Sequence, residues 1–439
     1  MAVHQDREAF IPYRRSDLIE LCVSDGKLSA KDAQKFREFC TILSAYYHFK
    51  FHTLYEKLKD SFAPFNPDSD TREIAPPSPE ECQQKEYHMV QDLETLLESA
   101  NYVPLPKSSL KRAFDEKSLI ALKTDVDFRD FDQMVCYCRG DIYKMAWVKK
   151  WFFWKKQIKV DIFERVVLLI KFKGEEYFAR KQKGLDDINF TPGKMYLYYY
   201  KNIPKFDLEF LFPNIKISMT WKDRLLFGIP AIGAAVPLIL KILPQLLLIL
   251  SAILFIIAGT SEPINGNVDE QQAENIMPVL VATLSLIMAL GGFAFKQYSS
   301  YKSKKIKFQK KVTDTLFFKN IATNAGVLGA LVDSAEEEEC KEIILAYYHL
   351  LVHPEPLTPE ELDDRVEHWM EHKFKTTIDF DIHGPLRNLT QIRGKIDAED
   401  EPSPLLSYDR QGACQVLPLD DAKAIIDYVW DNAFLYARG

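Results

Sequence analysis

The sequence lacks the short signatures of phosphate-transfer and acyl-transfer chemistry. It has no P-loop, no GxGxxG after a strand and no GxSxG, so nucleotide hydrolysis and serine-hydrolase chemistry have no foothold. Cysteine is sparse and unpaired. The seven residues, Cys22, Cys40, Cys82, Cys136, Cys138, Cys340 and Cys414, form no CxxC, which suits reduced thiols in a cytosol-like compartment. Within MVCYCRG, period-two alternation puts Cys136 and Cys138 on one face of a strand, where packing is their expected role. An excess of positive charge is also missing. The formal net charge is −7, and no segment joins strong basicity to a nucleic-acid module, so no nucleic-acid partner is expected. The first ten residues, MAVHQDREAF, have neither the apolar core of a signal peptide nor the Arg-rich, acid-poor character of a transit peptide. Targeting is therefore expected from the interior.

What the 439 residues do contain is long apolar runs. From Leu225 to Ala258 the only charge is Lys241, and from Ile276 to Phe295 there is none. About 20 apolar residues at 1.5 Å rise match a hydrocarbon core of roughly 30 Å, so spans are expected at 238–258 and 276–295, with a buried helix pair as the alternative. The loop between them carries Glu262, Asp269, Glu270 and Glu274 but no Lys or Arg, whereas Lys296, Lys302, Lys304, Lys305, Lys307, Lys310 and Lys311 follow. The positive-inside rule then gives an integral membrane protein with two spans and both termini cytoplasmic, in a bacterial inner membrane or an organelle membrane. The lysines of Lys302–Lys311 would meet anionic headgroups of that bilayer. Ala282, Ser285, Ala289 and Gly292 place small residues along one stripe, a seat for the neighbouring helix or for a homo-oligomer.

The flanking segments read as four parts. Residues 1–115 are an N-terminal helical region: SAKD at Ser29 opens a long helix that stops at Pro64 and Pro67. Residues 116–213 are a β-rich α+β domain, since QMVCYCRG, QIKVDIFERVVLLIKFKG and KMYLYYYKNIP favour β-branched and aromatic residues. In WVKKWFFWKK, aromatic and basic residues mix; strand or interfacial packing is expected there. Residues 214–311 are the transmembrane hairpin with its flanks. Residues 312–439 include AEEEECKEIILAYYHLL at 335–351, read as an acidic turn entering an apolar helix. Then come a capping box at Thr358, further helices and LLSYDRQGACQVLPLD as a two-stranded wing, the order of a winged-helix-like domain. The expected fold class is thus an α+β membrane protein with a two-span helical hairpin.

With these segments in place, FIPYRRSDLIELC at 10–22, FAPFNPDSD at 62–70, KNIPKFDLEFLFP at 201–213 and EEEECKEIILAYY at 336–348 resemble the uncharacterised transmembrane protein 143-like family, domain-of-unknown-function family 3754. The resemblance implies a two-span membrane protein with large soluble flanks and no established reaction. It carries over no catalytic residue.

Histidine is the remaining chemical signal. AYYHFKFH at 45–52 and AYYHLLVH at 346–353 repeat one phrase, setting His48 with His52 and His349 with His353 four apart on helices. Two such helices brought together would offer four imidazoles to Zn²⁺ or another transition metal. The apolar stripes of both helices face away from these histidines, which favours two solvated faces instead. HWMEH at 368–372 fits the inverzincin pattern, yet Leu362, Val366, Trp369 and Met370 define a buried stripe opposite His368, Glu371 and His372. A non-enzymatic scaffold or regulatory protein, binding a protein partner through its domains, is the expected function; a metal-binding or metal-dependent protein is the alternative.

Overall fold

The computed structural model describes residues 9–218 and 284–433, apart from positions 72, 107, 109, 111–122, 152–153, 182–187, 189, 376, 398–400 and scattered positions between 286 and 315. The chain divides into two units, one of 1–113, 128–208 and 319–439, the other of 114–127 and 209–318.

The first unit begins with α1 (Arg15–Ser24), α2 (Ala30–Phe62) and α3 (Pro79–Ser99). Ser29 accepts from the Asp32 amide at the start of α2, and Ser78 with Glu81 forms a reciprocal capping box at α3. These bonds occupy amides that a first helical turn leaves unpaired. Next come β1 (Val103–Pro104), β3 (Phe131–Trp151), β4 (Trp154–Phe172), the short α4 (Glu175–Arg180), β5 (Met195–Pro204) and β7 (Asn320–Thr323). The strands form an antiparallel sheet in the order β1-β3-β4-β5-β7. The central stretch of β4 is an unbroken apolar run, Val166–Ile170, and it is buried on both faces. Val167 and Leu169, with Val135, Tyr137, Leu197 and Tyr199, join the helical core. Cys136 and Cys138 alternate with Val135 and Tyr137 and are buried free thiols on the other face of the sheet.

The chain leaves β7 through Asn324, a buried residue at φ 49°. Its amide donates to Leu197 O, its Oδ1 accepts from Leu197 N, and its Nδ2 donates to Asp68 in the loop after α2. The turn is thereby fastened to β5 and to that loop together. Helix α5 (Ala325–Leu351) follows, then α6 (Pro359–Phe374), α7 (His383–Gln391), the two-residue strands β8 (Arg393–Gly394) and β9 (Ser403–Pro404), the hairpin β10 (Leu406–Tyr408) with β11 (Cys414–Val416), and α8 (Leu419–Asn432).

Helix α5 is the axle of this unit. Every residue from Glu338 to Leu350 is buried. The helix runs antiparallel to α2: Phe39 stacks on Tyr347 with ring centroids 4.3 Å apart, while eleven residues towards the start of α5 His48 meets Glu336. The acidic run is not a turn at the helix start, as the sequence pattern suggests, but a belt in mid-helix. Glu336 and Glu337 hold Arg15 at 3.6 and 3.5 Å. Glu338 accepts from the Ile11 amide at 2.6 Å and pairs with Lys341, whose ammonium donates to Ile11 O at 2.5 Å. Glu339 accepts from Asn388 of α7 at 3.3 Å, and Glu342 from Asn101 at 2.7 Å. Burial pushes the carboxyls of Glu338 and Glu342 upward; in Glu342 the charge of Glu338 adds to the effect and the rise is large.

In the second unit, β2 (Lys123–Asp125) pairs antiparallel with β6 (Lys216–Ser218), and helical residues occur at positions between 284 and 318. The membrane assignment is corrected here. Among the described residues no helix is long and apolar enough to cross a membrane. Where helical residues are described after Phe295, Lys296, Lys302, Lys305, Lys307 and Lys310 interrupt the apolar pattern well short of the roughly 20 residues a span requires. The stretch 238–258 and most of 276–295 lie outside the described residues. The fold class is therefore a mixed α/β protein, and neither the two-span hairpin nor the integral-membrane localisation and topology built on it is retained.

The belt makes a stability prediction. K341M leaves the buried Glu338 carboxylate without its cation and should cost about 3–5 kcal/mol in chemical denaturation, with E338Q/K341M recovering part because Gln still accepts from Ile11 N. E342Q should stay within about 1 kcal/mol of wild type, whereas E342L removes the shortest hydrogen bond of the Asn101 amide, leaving it Ala9 O at 3.2 Å, and should cost about 1–2 kcal/mol. Because the folded state holds the Glu342 proton more tightly than the unfolded chain, this residue's stabilising contribution is present at low pH and declines as pH rises through and above the ordinary glutamate range; E342Q should remove that part of the slope.

Candidate functional site

Two features of the first unit stand apart from its core. One is the outer part of the β3–β4 hairpin. Pairing of β4 with β5 ends at Ile162↔Pro204, and β1 meets β3 only at Tyr137 and Cys138. From Tyr143↔Asp161 to Trp151↔Trp154 the two strands pair, among the described residues, with each other alone. At about 3.3 Å per residue this ribbon reaches roughly 30 Å beyond the sheet. Gly140 stands where it departs: its φ is +78°, and a Cβ there would lie 2.5 Å from Glu164 Cβ on the paired strand, so only glycine fits. Between Ile142 and Val160 the sequence holds Lys144, Lys149, Lys150, Lys155, Lys156 and Lys159 and no acidic residue. Tyr143 and Met145 are exposed, and Lys159 Nζ lies 3.3 Å over the Tyr143 ring.

The other feature is an open cleft of about 910 Å³ along α6. Thr358 and Glu361 start that helix with a capping box, and Leu362, Val366 and Met370 seat it on the core. Arg365 and Trp369, one turn apart, then face the end of α5, where His349 is 0 % exposed. The imidazole and the Trp369 ring are 5.3 Å apart at 80°. Among the described residues neither ring nitrogen of His349, nor Arg365 Nε, nor Trp369 Nε1 has a hydrogen-bond partner, although all four are buried. Burial first, and then the Arg365 charge, bring the His349 pKa down to about 3, so the ring is neutral. Asp25 also lines the cleft; burial works to raise its pKa, but Lys373 at 2.8 Å, Lys27 at 3.1 Å and the Tyr348 hydroxyl at 3.0 Å outweigh it and hold the carboxyl well below its usual range.

The histidines singled out in the sequence are spread over the unit. His48 and His52 are exposed on α2 with rings 6.4 Å apart, and His48 Nδ1 donates to Glu336 Oε2 at 2.9 Å. His353 Nδ1 donates to Glu355 O at 2.7 Å just past the end of α5. His349 lies thirteen residues along α5 from the Glu336 that meets His48, a rise of roughly 20 Å, so the structure does not bring the two pairs together. His368, Glu371 and His372 line the cleft but are exposed, and His368 Nδ1 donates to Asp364 O at 2.6 Å. Among the described residues no group of three or more His, Cys, Asp or Glu is placed to hold a metal ion. Sequence reasoning missed Arg365 altogether and gave Trp369 to the core; the pairing of positions 365 and 369 on one helix face was the available signal.

The buried imidazole has a measurable consequence. With its pKa lowered from 6.5 to about 3, His349 contributes stability that is complete above pH 6.5 and is lost as pH falls towards 3. The full effect is at most on the order of 5 kcal/mol. H349L should flatten the acid limb of a pH–stability curve measured by urea unfolding, with little change in its slope above pH 7.

No solved structure matches this chain. Among protein families, the one described as protein of unknown function (DUF3754) matches residues 163–326, from β4 through the second unit to the start of α5, which supports the likeness to that family of unknown function without carrying the transmembrane protein 143-like naming.

Proposed function

We propose that this chain is a non-enzymatic scaffold or regulatory protein that takes a polypeptide partner on the β3–β4 ribbon. The observation that supports this reading is the ribbon itself: two long strands whose outer edges, among the described residues, pair with no third strand. Free edges of this kind are templates for strand addition, and proteins usually cover, shorten or charge them. Six lysines over a stretch without acid keep the edge soluble and select an acidic, extended partner segment. The body supplies rigidity, since the glutamate belt ties α1, α2, α7 and the N-terminal segment to one helix.

The test replaces residues 144–160 by Asn-Gly, a turn suited to a two-residue hairpin, and places a photo-crosslinking residue at Met145 in the otherwise intact chain. The deletion should leave the thermal midpoint within a few degrees of wild type. Crosslinking at Met145 in cells should give a discrete protein adduct that is absent when the same residue is placed at Glu176. Equal adducts from both positions, or none from Met145, would refute the ribbon as the partner surface.

A further inference from the structure

We infer that the cleft along α6 is a binding site for a tetrahedral phosphate oxyanion, free or carried on an organic ester, seated on Arg365, Trp369 and His349. The inference is independent of the ribbon. It starts from an accounting of polar groups: a buried N–H without a partner costs about as much as a lost hydrogen bond, so native proteins rarely keep one. Here Arg365 Nε, Trp369 Nε1 and both nitrogens of a fully buried imidazole remain, among the described residues, without partners, and all three side chains line the cleft. Among the described residues Arg365 makes no ion pair. A positive guanidinium, an indole N–H and an imidazole N–H together ask for an anion with several acceptor oxygens.

The donor set narrows the class. Unpartnered N–H groups come from three side chains, Arg365, Trp369 and His349, and a phosphate group offers more acceptor oxygens to them than the two of a carboxylate. The neutral His349 also keeps one bare nitrogen, an acceptor, which the O–H of a singly protonated phosphate can satisfy and a carboxylate cannot. The cleft also holds acids. Asp25 is paired with Lys27 and Lys373, and Glu361, tied into its own cap, Asp364 and Glu371 are exposed, where solvent screens their charge. At about 910 Å³ the cleft holds more than an inorganic ion, leaving room for an organic group beside the Trp369 ring.

Calorimetric titration of the full chain with phenyl phosphate, inorganic phosphate and benzoate tests the site. Phenyl phosphate should bind one to one, at least tenfold weaker in R365Q and several-fold weaker in W369F, which keeps the aromatic ring and loses only the N–H. R180Q, in the cationic cleft formed by Arg129, Lys173, Arg180 and Lys181, should bind as wild type. If R365Q fails to fold, judged by its thermal midpoint, W369F decides alone. Inorganic phosphate binding as tightly as phenyl phosphate would identify free phosphate as the ligand, and weaker binding would identify an ester. The proposal is overturned if phenyl phosphate does not bind, if its affinity survives R365Q and W369F, or if benzoate binds equally well with the same losses.

Discussion

The pairing of Glu338 with Lys341, closed over the backbone of Ile11, is the contact on which the first unit depends. Lys341 is 3 % and Glu338 0 % exposed, so both charges have given up water, and their attraction offsets that loss only because each also bonds the Ile11 peptide. Phe10 lies beside them, 4.9 Å below Lys341 and 3.8 Å below the Arg139 guanidinium of β3, and Arg139 in turn donates to Ala100 O at the end of α3. One helical turn of α5 thus fixes the N-terminal segment, the sheet and α3 against each other. Apolar burial supplies most of the driving force for such a core. It does not by itself fix register or direction, and the belt does.

A helix covered on all sides has consequences at its far end. Tyr347, Tyr348 and His349 are buried together there, with Tyr347 donating to Leu417 O and Tyr348 to Asp25. The two tyrosines find acceptors and the imidazole finds none. The belt and the cleft therefore sit on one rigid element and differ in a single respect: every buried glutamate has a protein partner, and the histidine does not.

Much of the scaffold was legible from the sequence. Ser29 and the Thr358–Glu361 box mark the starts of α2 and α6, and the runs rich in Val, Ile and aromatic residues are β3, β4 and β5. FIPYRRSDLIELC and EEEECKEIILAYY, which carried the family resemblance, turn out to be the two sides of the belt. The errors have physical causes. Consecutive glutamates read as an acidic turn at a helix start, because partners at Ile11, Asn101 and Asn388 are invisible to local pattern. His349 was assigned to a polar face because period alone cannot show that α5 is enclosed all round. The apolar runs suggested membrane spans by length and composition, a criterion that the described helices do not meet.

Gly140 sets the direction of the ribbon, and distance from that residue acts as leverage. For an arm of roughly 30 Å, a backbone rotation of about 10° at its base displaces the tip by about 5 Å while the body stays in place. A residue without a side chain thereby converts a small torsional change, well inside one conformational basin, into a displacement as large as the spacing between neighbouring strands. The site that most restricts sequence at the base of the hairpin is thus also the one on whose torsion angles the direction of the paired strands depends most.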